Sequence, residues 1–230
     1  MRILQLLDKN IIFVDKLTHT AYMKIKDLPE ELKANIKSHL KESSAKAEKG
    51  WSSCSKEEDS LTGHLFASLE SQIDNEVNNW KWNISLKKFR GRGKGAFENK
   101  VGADGIISIN IEYEGKIETK SILFQAKKGN GVSVKDQLKK MDRILPDGNM
   151  IILFTEKGYF GQTGKNYQTK KMEYKLGDYL SDIFIECKNG VWGVKYDEET
   201  ERIVSIDNII DKDYDYSIDY ELDINIKRNE

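Results

Sequence analysis

Residues 104–127 constrain the fold more than any other stretch of the chain. Gly105–Tyr113 (GIISINIEY) and Lys116–Ala126 (KIETKSILFQA) are rich in β-branched residues and alternate in polarity, the period-two pattern of a strand. Glu114-Gly115 between them suits a two-residue hairpin turn. With those two residues as the turn, Tyr113 pairs with Lys116, and counting outward sets Asp104 directly opposite Gln125. Opposed side chains in an antiparallel pair hold their Cβ atoms about 5 Å apart. Alternation then sorts the side chains. Asp104, Ser108, Asn110, Ser121, Gln125 and Lys127 share one face with Ile106 and Leu123, while Ile107, Ile109, Ile111, Tyr113, Ile122 and Phe124 share the other. One β-bulge would move this register by a residue.

Around this hairpin the periodicity predicts helices over Leu28–Ser43 (Leu32, Ile36, Leu40) and Glu57–Val77. In the second, Leu61, Leu65, Leu69, Ile73 and Val77 recur at intervals of four. It also predicts helices over Val134–Arg143 and Leu176–Cys187, and strands over Trp80–Phe89 and Met150–Thr155. Glu42–Ser55, Arg90–Lys100 and Gly158–Lys171 read as loops, and Val191–Tyr196 with Glu201–Ile206 as a terminal hairpin. LQLL and IIFV within residues 1–27 suit an N-terminal hairpin. The expected organisation is an α/β fold, a mixed sheet flanked by helices. Residues 1–50 form an appendage of hairpin and helix, 51–190 the core, and 191–230 a hairpin with an acidic tail.

A net charge of −1 conceals an asymmetry. Ser85–Lys140 is rich in Lys and Arg, whereas the chain from Asp197 onward is mainly acidic. A basic centre points to a polyanionic partner, and the acidic end is expected to lie away from that binding face. Hydrophobic residues at 38% argue against a disordered chain. The two cysteines, Cys54 and Cys187, make neither a metal knuckle nor a disulfide framework. No apolar run approaches the roughly 18 residues of a membrane helix, and the N-terminus lacks the pattern of a signal peptide. A soluble cytoplasmic protein is expected. There is no GxxxxGK[ST] for ATP, and His19, His39 and His64 are too scattered to suggest a histidine nuclease. Trp80, Trp82 and Trp192 are expected in the core.

An aspartate, an opposed amide oxygen and a lysine two residues beyond the amide suit metal-assisted phosphodiester cleavage. The two oxygens are hard ligands for Mg²⁺. The ion lowers the pKa of a bound water, and an ammonium can orient that water and stabilise charge on the phosphorane. Gly102-Ala103-Asp104-Gly105, followed after a hairpin by Phe124-Gln125-Ala126-Lys127-Lys128, resembles the PD-(D/E)XK nucleases, specifically their QxK variants among restriction and anti-phage defence effectors. The resemblance covers about residues 57–155. It implies a restriction-endonuclease-like fold and Mg²⁺-dependent cleavage of DNA, double-stranded by family analogy, with Mn²⁺ able to substitute.

Gln125 stands where the commoner pattern has Glu, which removes one negative charge from the site. The family often supplies a carboxylate from an upstream helix, and here Glu58 is favoured over its neighbour Glu57. The resemblance thus implies Glu58, Asp104 and Gln125 around the metal and Lys127 at the nucleophile. Lys128, Gln137 and the basic run with Arg90, Arg92, Lys94 and Lys100 are the candidate DNA contacts. Without an obvious sensor domain, control is expected from self-assembly or a partner protein. Two other readings remain: a nuclease fold kept for binding with weak or no cleavage, and an interaction subunit that docks through its acidic C-terminal region.

Overall fold

The computed structural model describes residues 23–89, 101–129, 133–169, 173–205 and 218–229. The expected N-terminal hairpin and the basic run containing Arg90, Arg92, Lys94 and Lys100 lie outside them.

After a 3₁₀ turn at Ile25–Asp27, helix α1 (Glu30–Glu48) opens with Glu30 and Glu31 in its first turn, where carboxylates complement the helix dipole. Leu32, Ile36, Leu40 and Ala47 are buried along one side. The helix continues past Ser43 because Ser43, Ser44 and Ala47 extend the buried stripe. A short helix α2 (Trp51–Cys54) follows, so most of the loop expected over Glu42–Ser55 is helical. Helix α3 (Glu58–Leu69) buries Leu61, Leu65, Phe66 and Leu69 completely.

The helical spacing that continues through Ile73 and Val77 is misleading. At Glu70 the chain turns extended, with ψ 137°, and Ser71–Val77 is strand β1. It pairs antiparallel with β2 (Trp80–Lys88) through Asn78-Asn79, at φ 49° and 62°. Asparagine tolerates this left-handed region, which a tight hairpin requires at both central positions. Ile73 is left 79% exposed on this outer strand.

Strands β3 (Gly105–Tyr113) and β4 (Lys116–Lys128) pair in the expected register, Tyr113 with Lys116 through Gly105 with Phe124. Glu114 (φ 50°) and Gly115 (φ 71°) are the turn. Helix α4 (Lys135–Ile144) leads to β5 (Asn149–Thr155), which runs parallel to β4. Where a loop was expected from Gly158, the chain forms β6 (Gly158–Thr163) against β5 and a short helix α5 (Gly164–Thr169). After β7 (Tyr174–Lys175), helix α6 (Leu176–Tyr179) runs into a π-helical turn at Leu180–Phe184. Val191–Trp192 (β8) pairs with β4, and the hairpin consists of β9 (Val194–Asp197) and β10 (Arg202–Ser205).

The largest correction concerns the C-terminus. Tyr220–Arg228 (β11) is no tail: it lies between β2 and β3, antiparallel to the first and parallel to the second. Tyr220, Leu222, Ile224 and Ile226 are buried and alternate with Glu221, Asp223, Asn225 and Lys227. The result is a mixed α/β fold whose described residues form a nine-stranded sheet in the order β1-β2-β11-β3-β4-β5-β6-β7, with β8 beside β4.

Both faces of the sheet are covered. Helices α1, α3 and α6 bury one face with Ile107, Ile109, Ile111, Ile122 and Phe124, so α1 belongs to the main core and is not an appendage. Helix α4 and the β9–β10 hairpin pack on the other, against Ile106, Leu123, Ile151 and Leu153. The expected two-face division of the β3–β4 hairpin holds, but its more polar face is also buried. Ser108 and Ser121 there bond each other at 2.9 Å, and Ser121 donates to the Val194 carbonyl at 2.6 Å.

Candidate active site

Asp104 stands at the entry to β3, and its main chain is fixed from both sides. Its N–H donates to the Phe124 carbonyl at 2.8 Å, and its own carbonyl accepts from the N–H groups of Asp219 (2.9 Å) and Tyr220 (3.2 Å). The flanking glycines permit these approaches. Gly102 has φ 72°, and a Cβ there would lie 2.5 Å from the Gln137 carbonyl oxygen. A Cβ on Gly105 would lie 2.2 Å from the Tyr220 carbonyl oxygen. Glycine is therefore required at both positions by close backbone packing, and at Gly102 also by conformation.

The side chain of Asp104 meets Gln125 across the hairpin, as the register predicts. Oδ2 accepts from Gln125 Nε2 at 2.7 Å and from the Ala126 N–H at 2.7 Å. Gln125 Nε2 also donates to the Ala126 carbonyl at 3.2 Å. Burial pushes the Asp104 carboxyl up to about 7, and the Glu58 charge pushes the same way. The Ala126 N–H, the Lys127 ammonium and the Gln125 amide pull against them.

Helix α3 brings Glu58 to this end of the sheet. Lys127 Nζ donates to Glu58 Oε1 at 2.9 Å, and the Lys128 N–H donates to Oε2 at 2.8 Å. Glu58 is thus the helix carboxylate that reaches the site, while Glu57 is the exposed N-cap residue. The next residue, Asp59, anchors the helix end: it accepts from the Tyr220 hydroxyl and, at 2.9 Å, from Lys88 Nζ. Thr62 Oγ1 donates back to the Glu58 carbonyl at 3.0 Å.

Glu58, Asp104, Gln125 and Lys127 are therefore gathered where β3, β4 and α3 meet. Lys128 is exposed just beyond, with Nζ 3.5 Å from the Lys56 carbonyl. Gln137 is half-buried on α4, its backbone packed against Gly102. Arg90, Arg92 and Lys100 lie outside the described residues. The sequence reading missed Asp59, Lys88 and Tyr220, which hold the α3 end. The strand alternation around Tyr220 was the signal that could have found the last of them.

Lys127 is bonded to Glu58 and its charge also offsets that of Asp104, and a third oxygen donor, the Gln125 amide, is adjacent. Such a donor set suits a hard divalent cation. Gln125 presents its amide nitrogen to Asp104, so ligation through Oε1 requires the amide to turn end for end. Among the described residues no group of three His, Cys, Asp or Glu side chains is arranged to hold a metal ion. Among the same residues no helix is long and apolar enough to cross a membrane.

Comparison of the chain with family models, with curated proteins and with solved structures finds no match.

Proposed function

We propose that this protein is a metal-dependent endonuclease of the PD-(D/E)XK type, in its QxK form, acting on double-stranded DNA. The observation that carries the reading is the convergence of Asp104, Gln125, Lys127 and Glu58 from two paired strands and one helix end. The order of elements also supports it. A helix carrying the acid precedes the hairpin, and β4 continues through α4 into a parallel β5.

Asp104, Glu58 and the Gln125 oxygen would hold Mg²⁺ or Mn²⁺. The ion supplies a Lewis acid for the phosphate and lowers the pKa of its water. Lys127, freed from Glu58 as that carboxylate engages the cation, would orient the nucleophile and meet negative charge on the phosphorane. Lys128, exposed just past Lys127, and Gln137 on α4 would contact the phosphate backbone. A role in anti-phage defence rests on family analogy alone.

Plasmid cleavage in Mg²⁺ and in Mn²⁺ tests this, comparing the wild type with Lys127→Ala and Asp104→Ala. Loss of cleavage in both variants is expected; equal activity in all three proteins would refute the site. One observation favours a second reading, a nuclease fold retained for binding: Asp104 and Gln125 satisfy each other, and Lys127 and Glu58 do likewise. Salt-sensitive DNA binding by all three proteins with cleavage by none would establish that reading instead.

A further inference from the structure

A cleft of about 610 Å³ opens on the sheet face that carries Asp104, farther along β3 and β11. Glu221 and Asp223 of β11, Ser108 and Asn110 of β3, and Lys87 of β2 line its sheet side, and residues 195–199 of the β9–β10 hairpin line the other. Five carboxylates and two lysines face it, an excess of negative charge.

An acidic surface alone signifies little, because water solvates it. Glu221 is different. It is 5% exposed, and its Oε2 is buried without a hydrogen bond among the described residues. The Lys87 ammonium stands 3.6 Å away, beyond hydrogen-bond reach, and is engaged by Glu198. Folded proteins rarely keep a buried carboxylate oxygen unsatisfied, because desolvation without compensation is costly. Burial pushes Glu221 up to about 7 and also raises Asp223, whose Oδ1 accepts from Asn110 Nδ2 at 3.3 Å. Both acids draw on the same ammonium, Lys87, which Glu198 also engages.

The occupant's class follows from shape and lining. The described carboxylates are not grouped as ligands of one metal ion, and the cleft is far larger than such an ion needs. Tyr196, whose ring packs on Phe89, also borders the cleft, and an organic cation suits its size and its excess of carboxylates. We propose that this cleft binds an alkylammonium or guanidinium group, with Glu221 as its buried counter-charge. The group belongs to a free polyamine or to a basic side chain of a peptide.

The test uses the full chain and binding alone, so it is independent of the nuclease reading. A fluorescein-labelled hexa-arginine peptide is titrated by anisotropy, and unlabelled spermidine competes against it. Saturable binding is expected, weakened about tenfold or more by Glu221→Gln and by Asp223→Asn. Glu186→Gln, which removes an equal charge from the helical side of the fold, should leave it within about twofold. Displacement by spermidine identifies a polyamine as sufficient; peptide binding that spermidine leaves intact identifies a protein side chain. Glu221→Gln removes a buried charge whose ion-pair partner, Lys87, stands beyond hydrogen-bond reach, so its melting temperature should not fall, which separates lost binding from lost folding. Absence of saturable binding by either probe, or equal binding by wild type and Glu221→Gln, would overturn the proposal. So would displacement by Mg²⁺ at matched ionic strength that depends on Glu221.

Discussion

One oxygen of Asp104 accepts from both Gln125 and Ala126, yet burial still pushes its carboxyl up to about 7. A residue kept for folding alone would be better as the neutral amide. Asp104→Asn keeps an acceptor for both donors and removes the buried charge, so it should abolish cleavage while raising the melting temperature at about pH 8 in EDTA. A lower melting temperature would show that the charge serves the fold. Lys127→Ala is expected to reduce kcat by about 10²–10³, the cost of losing one donor aimed at transition-state charge. Its stability should fall as well, because the mostly buried Lys127 hydrogen-bonds Glu58 and its charge offsets that of the desolvated Asp104. Gln125→Glu restores the third carboxylate. It should tighten Mg²⁺ binding measured by calorimetry and lower the melting temperature without metal, since it sets a like charge against Asp104. Weaker Mg²⁺ binding would remove Gln125 from the ligand set.

At the scale of elements, the β3–β4 hairpin was legible because two independent signals agree on one register. Glu114-Gly115 fixes the turn, and alternation fixes the faces. The approach of Glu58 to Lys127 was legible only as a choice between neighbouring residues, since helix phase near an N-terminus is set by tertiary packing, here by Asp59 on Tyr220 and Lys88. β1 was hidden because Ile73 and Val77 continue the spacing of Leu61, Leu65 and Leu69 through a chain reversal that only Asn78-Asn79 betrays. β11 was hidden by composition: its acids read as a tail, although Tyr220, Leu222, Ile224 and Ile226 repeat with period two. Gly102 shows how much of the site is positioned by backbone packing that residue types do not announce. Gly102 and Gly115 have nearly the same φ, 72° and 71°, but a Cβ on Gly115 meets nothing within 4 Å. Gly115→Asn should therefore cost less than about 1 kcal/mol in denaturant unfolding, whereas Gly102→Asn should cost more and also lose cleavage by displacing Asp104. Equal costs would show that the packing of Gly102 on Gln137 does not hold Asp104 in place.

For the molecule as a whole, β11 joins β2 to β3, so the C-terminal region cannot be removed as an accessory. In and beside this sheet lie three desolvated groups that give stability an unusual pH dependence. Asp104 and Glu221 are raised from 3.8 and 4.5 to about 7, so across that interval the folded state holds more protons than the unfolded one. Stability therefore falls as pH rises through it. Lys120, fully buried in β4 and donating to the Phe184 carbonyl, is lowered by burial from 10.5 to about 8. Between those values the unfolded state holds more protons, and stability rises with pH. The paired surface groups add little, being solvated. Without metal, thermal melts should thus show a minimum near pH 7 to 8, between higher values at about pH 5 and pH 9.5. Asp104→Asn and Glu221→Gln should each make the acid side of that minimum shallower, and Lys120→Met the alkaline side. Mg²⁺ at about pH 8 should raise the wild-type melting temperature and leave that of Asp104→Asn unchanged, because a cation can offset the first buried carboxylate only where that carboxylate is present. A stability maximum at neutral pH in metal-free buffer would mean that these groups are not desolvated in the folded protein as their burial requires.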